Sequence, residues 1–413
     1  MNKLVGAAAI AAMSLSCLAA PAQAADGAWI ETWAAAPSPP NLVERPYAPL
    51  SPSFSGQTLR EVVRVSAGGR RVRIRFTNEY GTSPLRIGAA HIALAGDQGA
   101  IQPASDRMVT FNGKPQALIP AGAPMLSDPI ELSTAPLSTL SISLYLPDAT
   151  GPCTCHPLGM QTSYLSGPGD FTGAASFPVL STAHYRAFIS GVEVAANDTS
   201  GVIVTLGDSI TDGAVSTPDA NQRWPDRLAE RLAARKGAAH AWAVANEGIS
   251  GNQLLADGAG VSAVARFDRD VLSVPGVRYV VVLIGVNDLG VAYGPGAAAH
   301  PVANPPTADD MIAGYKQLIA RAHEHGLKII GATITPYEGA GYWSSQGEAY
   351  REAINTWIQT SGAFDGVLDF ASVWSDPAHP THIRADIDPG DHLHGTDAAY
   401  RALGDSVDLG MFH

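Results

Sequence analysis

A serine that follows a short apolar run is the first residue whose surroundings suit chemistry. The run spans residues 202–206, is β-branched at its first four positions, and leads into Gly207-Asp208-Ser209. Such a run predicts a buried strand, and Gly207 with Gly213 predict a sharp break after it. Open α/β sheets bind ligands beyond the carboxyl ends of their strands, where Ser209 would lie. The stretch alone also fits a simpler role, because Ser and Asp are favoured at helix N-termini.

A reactive serine hydroxyl needs a general base, a group that orients the base, and donors for the developing oxyanion. The best candidate for the base is His394, because Asp391 lies three residues before it and can hydrogen-bond to the ring. The same loop admits two other interpretations, a solvated polar loop and a metal site, since His and Asp are metal ligands. Its other histidines and aspartates are His379, His382, Asp386, Asp388 and His392.

The order of the predicted strands and helices explains how such distant residues could meet. Strands are predicted at 201–206, 241–245, 277–284, 327–335 and 366–370, and helices at 222–236, 261–272, 308–325, 345–359 and 396–403. This alternation predicts a parallel sheet with right-handed crossovers. For residues 199–413 we therefore expect a three-layer α/β/α domain with about five parallel strands in a flavodoxin-like order.

Three further segments fall at the same predicted edge of the sheet. They are Gly248-Ile-Ser-Gly251-Asn after the second strand, Gly285-Val-Asn287-Asp288 after the third, and Asp391-His-Leu-His394 before the last helix. With Gly207-Asp208-Ser209 they resemble, in the same order, the four sequence blocks of the SGNH/GDSL hydrolases. The resemblance covers residues 200–413, and within that family it is closest to exported esterases with an N-terminal β domain.

The resemblance implies a catalytic role for several of these residues. Ser209 would be the nucleophile, His394 the general base, and Asp391 the group that orients the base. Gly207 and Asp208 would support the turn that carries the nucleophile. We expect neither a cofactor nor a metal ion, since the spacing of the loop's His and Asp residues matches no metal motif.

The resemblance also implies an oxyanion hole, formed by the backbone N–H groups of Ser209 and Gly251 and by the side-chain amide of Asn287. Glycine lets a backbone amide approach a substrate oxygen without a Cβ in the way. An asparagine amide donates without adding charge, and the loss of one such donor costs on the order of 100-fold in rate. The chain has no G-x-S-x-G elbow and no G-K-[ST] phosphate loop, which argues against two competing fold families.

Residues 25–198 predict an all-β domain, either a sandwich or a jelly roll. Alternating apolar and polar residues predict strands at 61–66 and 71–76 with a hairpin loop between them, and the alternation returns at 85–94 and 139–146. Such a module could bind carbohydrate, or it could be a structural unit packed on the second domain. Its cysteines, Cys153 and Cys155, could form a disulfide in an oxidising compartment, and their spacing matches no zinc motif.

The first 24 residues predict a signal peptide, with Lys3, an apolar run at 4–20 and an A-x-A site ending at Ala24. We therefore expect a secreted or periplasmic protein, cleaved after Ala24; a lipid anchor at Cys17 is a less favoured alternative. The apolar run is too short to favour a membrane span, and no later stretch predicts one. A net charge of −12 disfavours a nucleic-acid partner.

These patterns predict a serine esterase that acts through an acyl-enzyme, with a small-molecule or polysaccharide ester as substrate. Short acyl esters of carbohydrates, such as acetyl esters, are the preferred class. Residues 289–306 and 337–343 would form a movable, partly apolar rim over Ser209, or would simply pack on each other. The alternatives are a lipolytic or aryl esterase of broad specificity, a carbohydrate-binding surface protein with incidental hydrolase activity, and a metal-dependent hydrolase.

Overall fold

The computed structural model describes residues 27–42, 50–196, 199–235 and 241–413. The predicted signal peptide, including Cys17, lies outside these residues. The strands of the N-terminal part are β1 (Ala28–Ala34), β2 (Gln57–Arg64), β3 (Val72–Thr77), β4 (Leu85–Ile87), β5 (Ala89–Leu94), β6 (Arg107–Met108), β7 (Ala117–Ile119), β8 (Pro124–Leu126), β9 (Thr139–Leu146), β10 (Cys155–His156), β11 (Ser163–Pro168), β12 (Val179–Ala183), β13 (Arg186–Ala187) and β14 (Ile189–Ala196). A disulfide joins Cys153 to Cys155, the first residue of β10.

Two antiparallel sheets dominate this N-terminal part. One has four strands in the order β1-β14-β3-β8, and the other has six in the order β12-β11-β2-β9-β5-β6. Leu59 and Leu144 of the larger sheet share one buried cluster with Ile74 and Val192 of the smaller sheet. The expectation of an all-β region with a sandwich-like core is therefore confirmed.

The hairpin predicted across residues 67–70 is wrong. β2 pairs with β9 and β11, whereas β3 pairs with β14 and β8, so the two strands lie in different sheets. Gly68 passes so close to a neighbouring segment that a Cβ there would lie 2.3 Å from the carbonyl oxygen of Thr134. Two alternating runs joined by glycines can form a hairpin or can belong to two different sheets. The alternation is the same in both cases, so the sequence pattern does not distinguish them.

The C-terminal part contains a five-stranded parallel sheet. Its strands are β15 (Thr199–Gly207), β16 (Ala241–Gly248), β17 (Val277–Leu283), β18 (Lys328–Ala332) and β19 (Gly366–Leu368), in the spatial order β16-β15-β17-β18-β19. The helices are α1 (Ser209–Asp212), α2 (Trp224–Ala233), α3 (Ala263–Phe267), α4 (Val286–Tyr293), α5 (Ala308–Glu324), α6 (Ser345–Thr360), α7 (Phe370–Trp374) and α8 (Asp397–Ser406). A short hairpin of β20 (Ser375–Asp376) and β21 (His379–Ile383) precedes α8.

Alternate residues of the parallel strands face opposite layers of helices, as the pleat of a strand requires. Ile203 shares a buried cluster with Trp224 of α2. The next residue, Val204, belongs to the cluster that contains Leu318 of α5 and Ile354 of α6. This arrangement confirms the predicted three-layer fold and its flavodoxin-like strand order.

Two predicted boundaries need correction. The predicted helix at 261–272 is α3 followed by a π-helical turn, Asp268–Leu272. The rim segment at 289–306 begins inside α4, which starts directly after Gly285, whose φ is 128°. Glycine is a poor helix former, so a glycine-rich sequence does not predict a helix. Packing nevertheless holds α4 in helical form. Among the described residues, no helix is long and apolar enough to cross a bilayer.

Arg266 of α3 ties together the ends of two central strands. Its guanidinium donates to the carbonyl oxygens of Gly207 (3.0 Å) and Glu247 (2.7 Å), and it pairs with Asp270 at 2.9 Å. It also donates to Oδ1 of Asn252, at 3.1 Å, in the segment that follows β16. The side chain is fully buried, so none of these acceptors can turn to water instead.

We predict that Arg266→Leu lowers the free energy of unfolding by about 1–3 kcal/mol, because buried carbonyl oxygens lose a charged donor while Asp270 keeps Arg269. Chemical denaturation of the purified protein measures this. Arg401→Leu, at an exposed position of α8, is the matched control and should change stability by less than about 0.5 kcal/mol. A loss below about 1 kcal/mol for Arg266→Leu would show that other groups hold the strand ends together.

Candidate active site

The turn between β15 and α1 presents Ser209 at the carboxyl edge of the sheet. The carboxylate of Asp208 accepts a hydrogen bond from the backbone N–H of Ile210 at 3.0 Å and so caps α1. A Cβ on Gly207 would lie 2.5 Å from the carbonyl oxygen of Leu283, so only glycine fits there. Gly207 and Asp208 therefore shape the turn, and Ser209 follows as the first residue of the helix.

The structure brings Ser209, His394 and Asp391 together. Nε2 of His394 lies 2.9 Å from Oγ of Ser209, and Nδ1 of His394 lies 2.7 Å from Oδ2 of Asp391. The other oxygen of Asp391 accepts the backbone N–H groups of Leu393 and His394, both at 3.0 Å. The carboxylate thus folds the loop that carries the imidazole and also holds its ring.

The electrostatics of this trio favour one tautomer of His394. Partial burial alone would raise the pKa of Asp391, but hydrogen bonds from the ring and backbone of His394 outweigh it and hold that pKa well below its usual range. Asp391 is therefore a carboxylate, which accepts the proton on Nδ1 of His394. The lone pair on Nε2 then faces the hydroxyl of Ser209, which is the arrangement that a general base needs.

The buried carboxyl next to the serine behaves in the opposite way. Burial raises the pKa of Asp208 to about 7, although the N–H of Ile210 and the nearby His394 both act to lower it. Asp208 is 1% exposed, whereas the side chain of Asp391 is 44% exposed. Two neighbouring carboxyl groups thus have separate tasks: Asp208 caps α1, and Asp391 carries the charge that faces His394.

The segments that carry Gly251 and Asn287 lie beside the serine turn. In the sheet, Gly207 pairs with Gly248 on β16 and with Leu283 on β17, so the three strand ends are adjacent. Gly251 has a φ of 79°, a conformation that glycine adopts without strain. Asn287, in the first turn of α4, is 8% exposed.

The side-chain amide of Asn287 is held from both ends. Its Nδ2 donates to the carbonyl oxygen of Asn252 at 3.0 Å, and its Oδ1 accepts from the hydroxyl of Tyr342 at 3.2 Å. Both contacts require the same amide orientation, with one N–H of Nδ2 left for another acceptor. Tyr342 reaches this position because its ring covers Gly290, where a Cβ would lie 1.3 Å from a ring carbon.

Asp288 supports the segment that follows Gly251. Its carboxylate accepts the backbone N–H groups of Leu254 at 2.7 Å and Leu255 at 3.0 Å. Burial raises the pKa of Asp288 to about 6, and the two N–H groups act against that rise. Asn287 and Asp288 thus both hold the loop after β16, one through Asn252 and the other through Leu254.

The remaining histidines of the loop before α8 do not reach Ser209. His392 has a φ of 59° and places its Nδ1 2.5 Å from Oδ2 of Asp388. The rings of His379 and His382 have their centroids 5.9 Å apart on the β20–β21 hairpin. Within the part of the chain that the structure describes, no group of three or more His, Cys, Asp or Glu residues could hold a metal ion.

Several residues at this site were missed by the sequence reasoning. Tyr342 was placed in a rim, and its contact with Asn287 carries no local sequence signal. Arg266 lies in a predicted helix and Asp288 in the predicted segment after the third strand, but their partners are distant in the chain. A buried carboxylate directly after Asn287 could have suggested a loop anchor, since buried carboxylates are normally paired or hydrogen-bonded.

Comparison with known families agrees with this geometry. Residues 205–402 match the GDSL-like lipase/acylhydrolase family. This region is a GDSL-like acylhydrolase domain. The earlier resemblance to SGNH/GDSL hydrolases is therefore confirmed, and the protein is a carboxylic ester hydrolase. The sequence matches no curated protein.

Solved structures resemble the GDSL-like domain in fold. The acetylxylan esterase Axe2 from Geobacillus stearothermophilus is 20% identical, with a TM-score of 0.39, and covers 51% of this chain and 93% of its own. An α/β hydrolase from the metagenome of Lake Arreo in Spain is 17% identical, with a TM-score of 0.39, and covers 51% and 94%. At these values the two similarities do not bear on the substrate of this chain.

We predict that Tyr342→Phe lowers kcat for an ester substrate about 2- to 10-fold and leaves KM nearly unchanged. The Asn287 amide loses one hydrogen bond that fixes its orientation, and such a bond contributes about 0.5–1.5 kcal/mol. Steady-state kinetics with p-nitrophenyl acetate measures both constants. Tyr293→Phe removes a hydroxyl that instead contacts the carbonyl oxygen of Pro306, so it should keep the normal kcat. Equal effects of both variants would contradict a specific role for Tyr342.

Proposed function

We propose that the protein is an exported serine esterase in which Ser209 is the nucleophile and His394 the general base. The observation that carries this proposal is the 2.9 Å contact between Nε2 of His394 and Oγ of Ser209, with Asp391 on the far side of the ring. Nucleophile, base and orienting carboxylate stand in the order that nucleophilic catalysis requires. Export rests on residues 1–24.

In the acylation step, Oγ of Ser209 attacks the ester carbonyl carbon while Nε2 of His394 takes the hydroxyl proton. The carbonyl oxygen becomes an oxyanion, which accepts hydrogen bonds from the N–H groups of Ser209 and Gly251 and from the amide of Asn287. When the tetrahedral intermediate collapses, the bond to the leaving oxygen breaks. His394 donates its proton to that oxygen, so the alcohol departs and the acyl group stays on Ser209.

Deacylation repeats the sequence with water as the nucleophile. His394 takes a proton from the water as its oxygen attacks the acyl carbon, and the bond to Oγ of Ser209 then breaks. Oγ regains the proton from His394, which frees the carboxylic acid. Asp391 stays a carboxylate throughout, because its depressed pKa favours the charged form beside the imidazolium.

Replacement of the nucleophile tests the proposal directly. Ser209→Ala should lower kcat for p-nitrophenyl acetate by at least about 10³-fold, because no other group in the trio can form the acyl bond. Ser372→Ala is the matched control, since Ser372 is exposed on α7 and should turn over normally. Undiminished turnover in Ser209→Ala would refute the assignment.

For the substrate, we propose short acyl esters of carbohydrates. Support for a short acyl group comes from the wall beside Asn287, where the Tyr342 ring packs directly on Gly290. The main chain of Tyr342 also closes on Gly294, where a Cβ would lie 2.4 Å from its carbonyl oxygen. The rim segments therefore pack on each other near Ser209. Support for a carbohydrate is the predicted export together with the N-terminal β part.

A series of p-nitrophenyl esters from C2 to C16, assayed beside acetylated xylan, tests the substrate class. We expect the highest kcat/KM at C2 to C4 and release of acetate from the polysaccharide, because the rim limits acyl length. Ser209→Ala is the blank for spontaneous hydrolysis. A maximum above C8 would reject this class and favour the lipolytic alternative.

A further inference from the structure

A buried chain of hydrogen bonds runs from the N-terminal β part to the oxyanion loop. Nε2 of His156, at the end of β10, lies 3.0 Å from Oδ1 of Asp212. The other oxygen, Oδ2, accepts both the backbone N–H of Ser250 at 2.9 Å and its hydroxyl at 2.7 Å. His156 is 5% and Asp212 2% exposed. Ser250 directly precedes Gly251, so this chain of hydrogen bonds ends next to a proposed oxyanion donor.

Both ring nitrogens of His156 lie within hydrogen-bond distance of oxygen atoms. Nδ1 faces the carbonyl oxygen of Ala36 at 3.0 Å, and Nε2 faces the carbonyl oxygen of Leu158 at 3.2 Å as well as Asp212. Carbonyl oxygens only accept, and Oδ1 of Asp212 accepts when the side chain is a carboxylate. The ring thus joins Ala36 and Leu158 to Asp212, across the junction of the two parts.

Asp212 connects His156 to the nucleophile as well as to the oxyanion loop. It is the last residue of α1, the single short helix that Ser209 begins. Gly248 packs so closely against this helix that a Cβ there would lie 2.3 Å from the backbone nitrogen of Asp212. Because one carboxylate holds both segments, its direction sets where the N–H of Gly251 lies relative to Oγ of Ser209.

We propose that His156 is a positioning residue for the oxyanion hole, supplied to the GDSL-like domain by the N-terminal β part. This rests on the proposed serine mechanism. Without the His156 donor, Oδ1 of Asp212 would be a buried acceptor with no partner, and the carboxylate would turn toward other donors. Gly251 would then move, and a misplacement of about 1 Å can cost on the order of 100-fold in rate.

The surroundings of His156 are suited to hold it still. The backbone N–H of Ser38 donates to the carbonyl oxygen of Cys155 at 2.9 Å, and the disulfide to Cys153 closes a small ring just before the histidine. Thr154 is fully buried. A side chain that sets catalytic geometry must itself be locked by packing and hydrogen bonds, and His156 meets this condition.

Two neutral amides at position 156 separate positioning from simple packing. The amide nitrogen of glutamine falls near the place of Nε2, so His156→Gln can still donate to Asp212. The amide nitrogen of asparagine falls near the place of Nδ1, so His156→Asn can donate to Ala36 but not to Asp212. The two variants differ in which partner of position 156 keeps a donor.

For the full-length mature protein, we expect His156→Asn to lower kcat for p-nitrophenyl acetate about 10- to 100-fold with KM changed less than about 2-fold. His156→Gln should recover most of that loss. Phenylboronic acid, which forms a tetrahedral anion on a catalytic serine, should bind His156→Asn more weakly in proportion to the loss in kcat/KM, because it uses the same donors.

Ser66→Ala is the matched control at the same junction. Ser66 is buried, and its hydroxyl accepts the N–H of Val244 at 2.9 Å. The same oxygen lies 2.7 Å from the carbonyl oxygen of Thr32 and 2.9 Å from that of Val244. This variant should lower Tm and leave kcat normal. Equal kcat for His156→Asn and His156→Gln, or a loss confined to Tm, would overturn the positioning role.

If His156→Asn does not fold, Ser250→Ala tests the same chain of hydrogen bonds from its other end. It removes the hydroxyl contact with Asp212 and should lower kcat while KM stays the same; an unchanged kcat overturns the proposal. Failure here is distinct from failure of the serine mechanism. Full activity in Ser209→Ala removes that mechanism, whereas normal kcat in His156→Asn, with Ser209→Ala inactive, removes only the role of His156.

Discussion

The candidate active site depends on how closely three chain segments approach one another at the carboxyl edge of the parallel sheet. Gly207 and Gly248 pair across β15 and β16, and neither has room for a Cβ. Arg266 donates to the carbonyl oxygens of Gly207 and Glu247 at the last pairs of this ladder, so the two strand ends stay together. The serine turn and the oxyanion loop can be neighbours only because this edge is so tight.

Charge at the site is distributed by burial and by hydrogen bonds. Asp391 keeps its charge because N–H groups of the loop and the ring of His394 face it, while burial raises the pKa of Asp208 to about 7. Asp212 is buried as well, and Nε2 of His156 lies 3.0 Å from its Oδ1. Each carboxylate thus holds a backbone segment in place, and Asp391 also acts on the base.

The N-terminal β part therefore contributes to the geometry of the active site as well as to packing. Sequence patterns left two alternatives for it, carbohydrate binding and structural packing. The contact between His156 and Asp212 adds a third role, since it places a residue of that part next to the oxyanion loop. In this view the two parts form one catalytic unit, and the GDSL-like domain alone would lack a support for Gly251.

Local patterns predicted the five parallel strands, their order and the three-layer fold, because strand and helix periodicity is carried by neighbouring residues. They also singled out Ser209, Asp391 and His394, which the structure brings together, because each lies at a strand end or helix start. The hairpin at 67–70 was wrong, since alternation does not encode which strand will be the partner. The contacts of His156 and Tyr342 join residues that are distant in sequence, and no periodicity predicts such pairs.

The most direct test of the account is a crystal structure of the protein after reaction with a p-nitrophenyl phosphonate, which leaves a tetrahedral phosphorus on the attacking oxygen. The account predicts phosphorus bonded to Oγ of Ser209. One phosphonyl oxygen should lie within hydrogen-bond distance of the backbone nitrogens of Ser209 and Gly251 and of Nδ2 of Asn287. Phosphorus on another residue, or a phosphonyl oxygen turned away from Gly251 and Asn287, would contradict it.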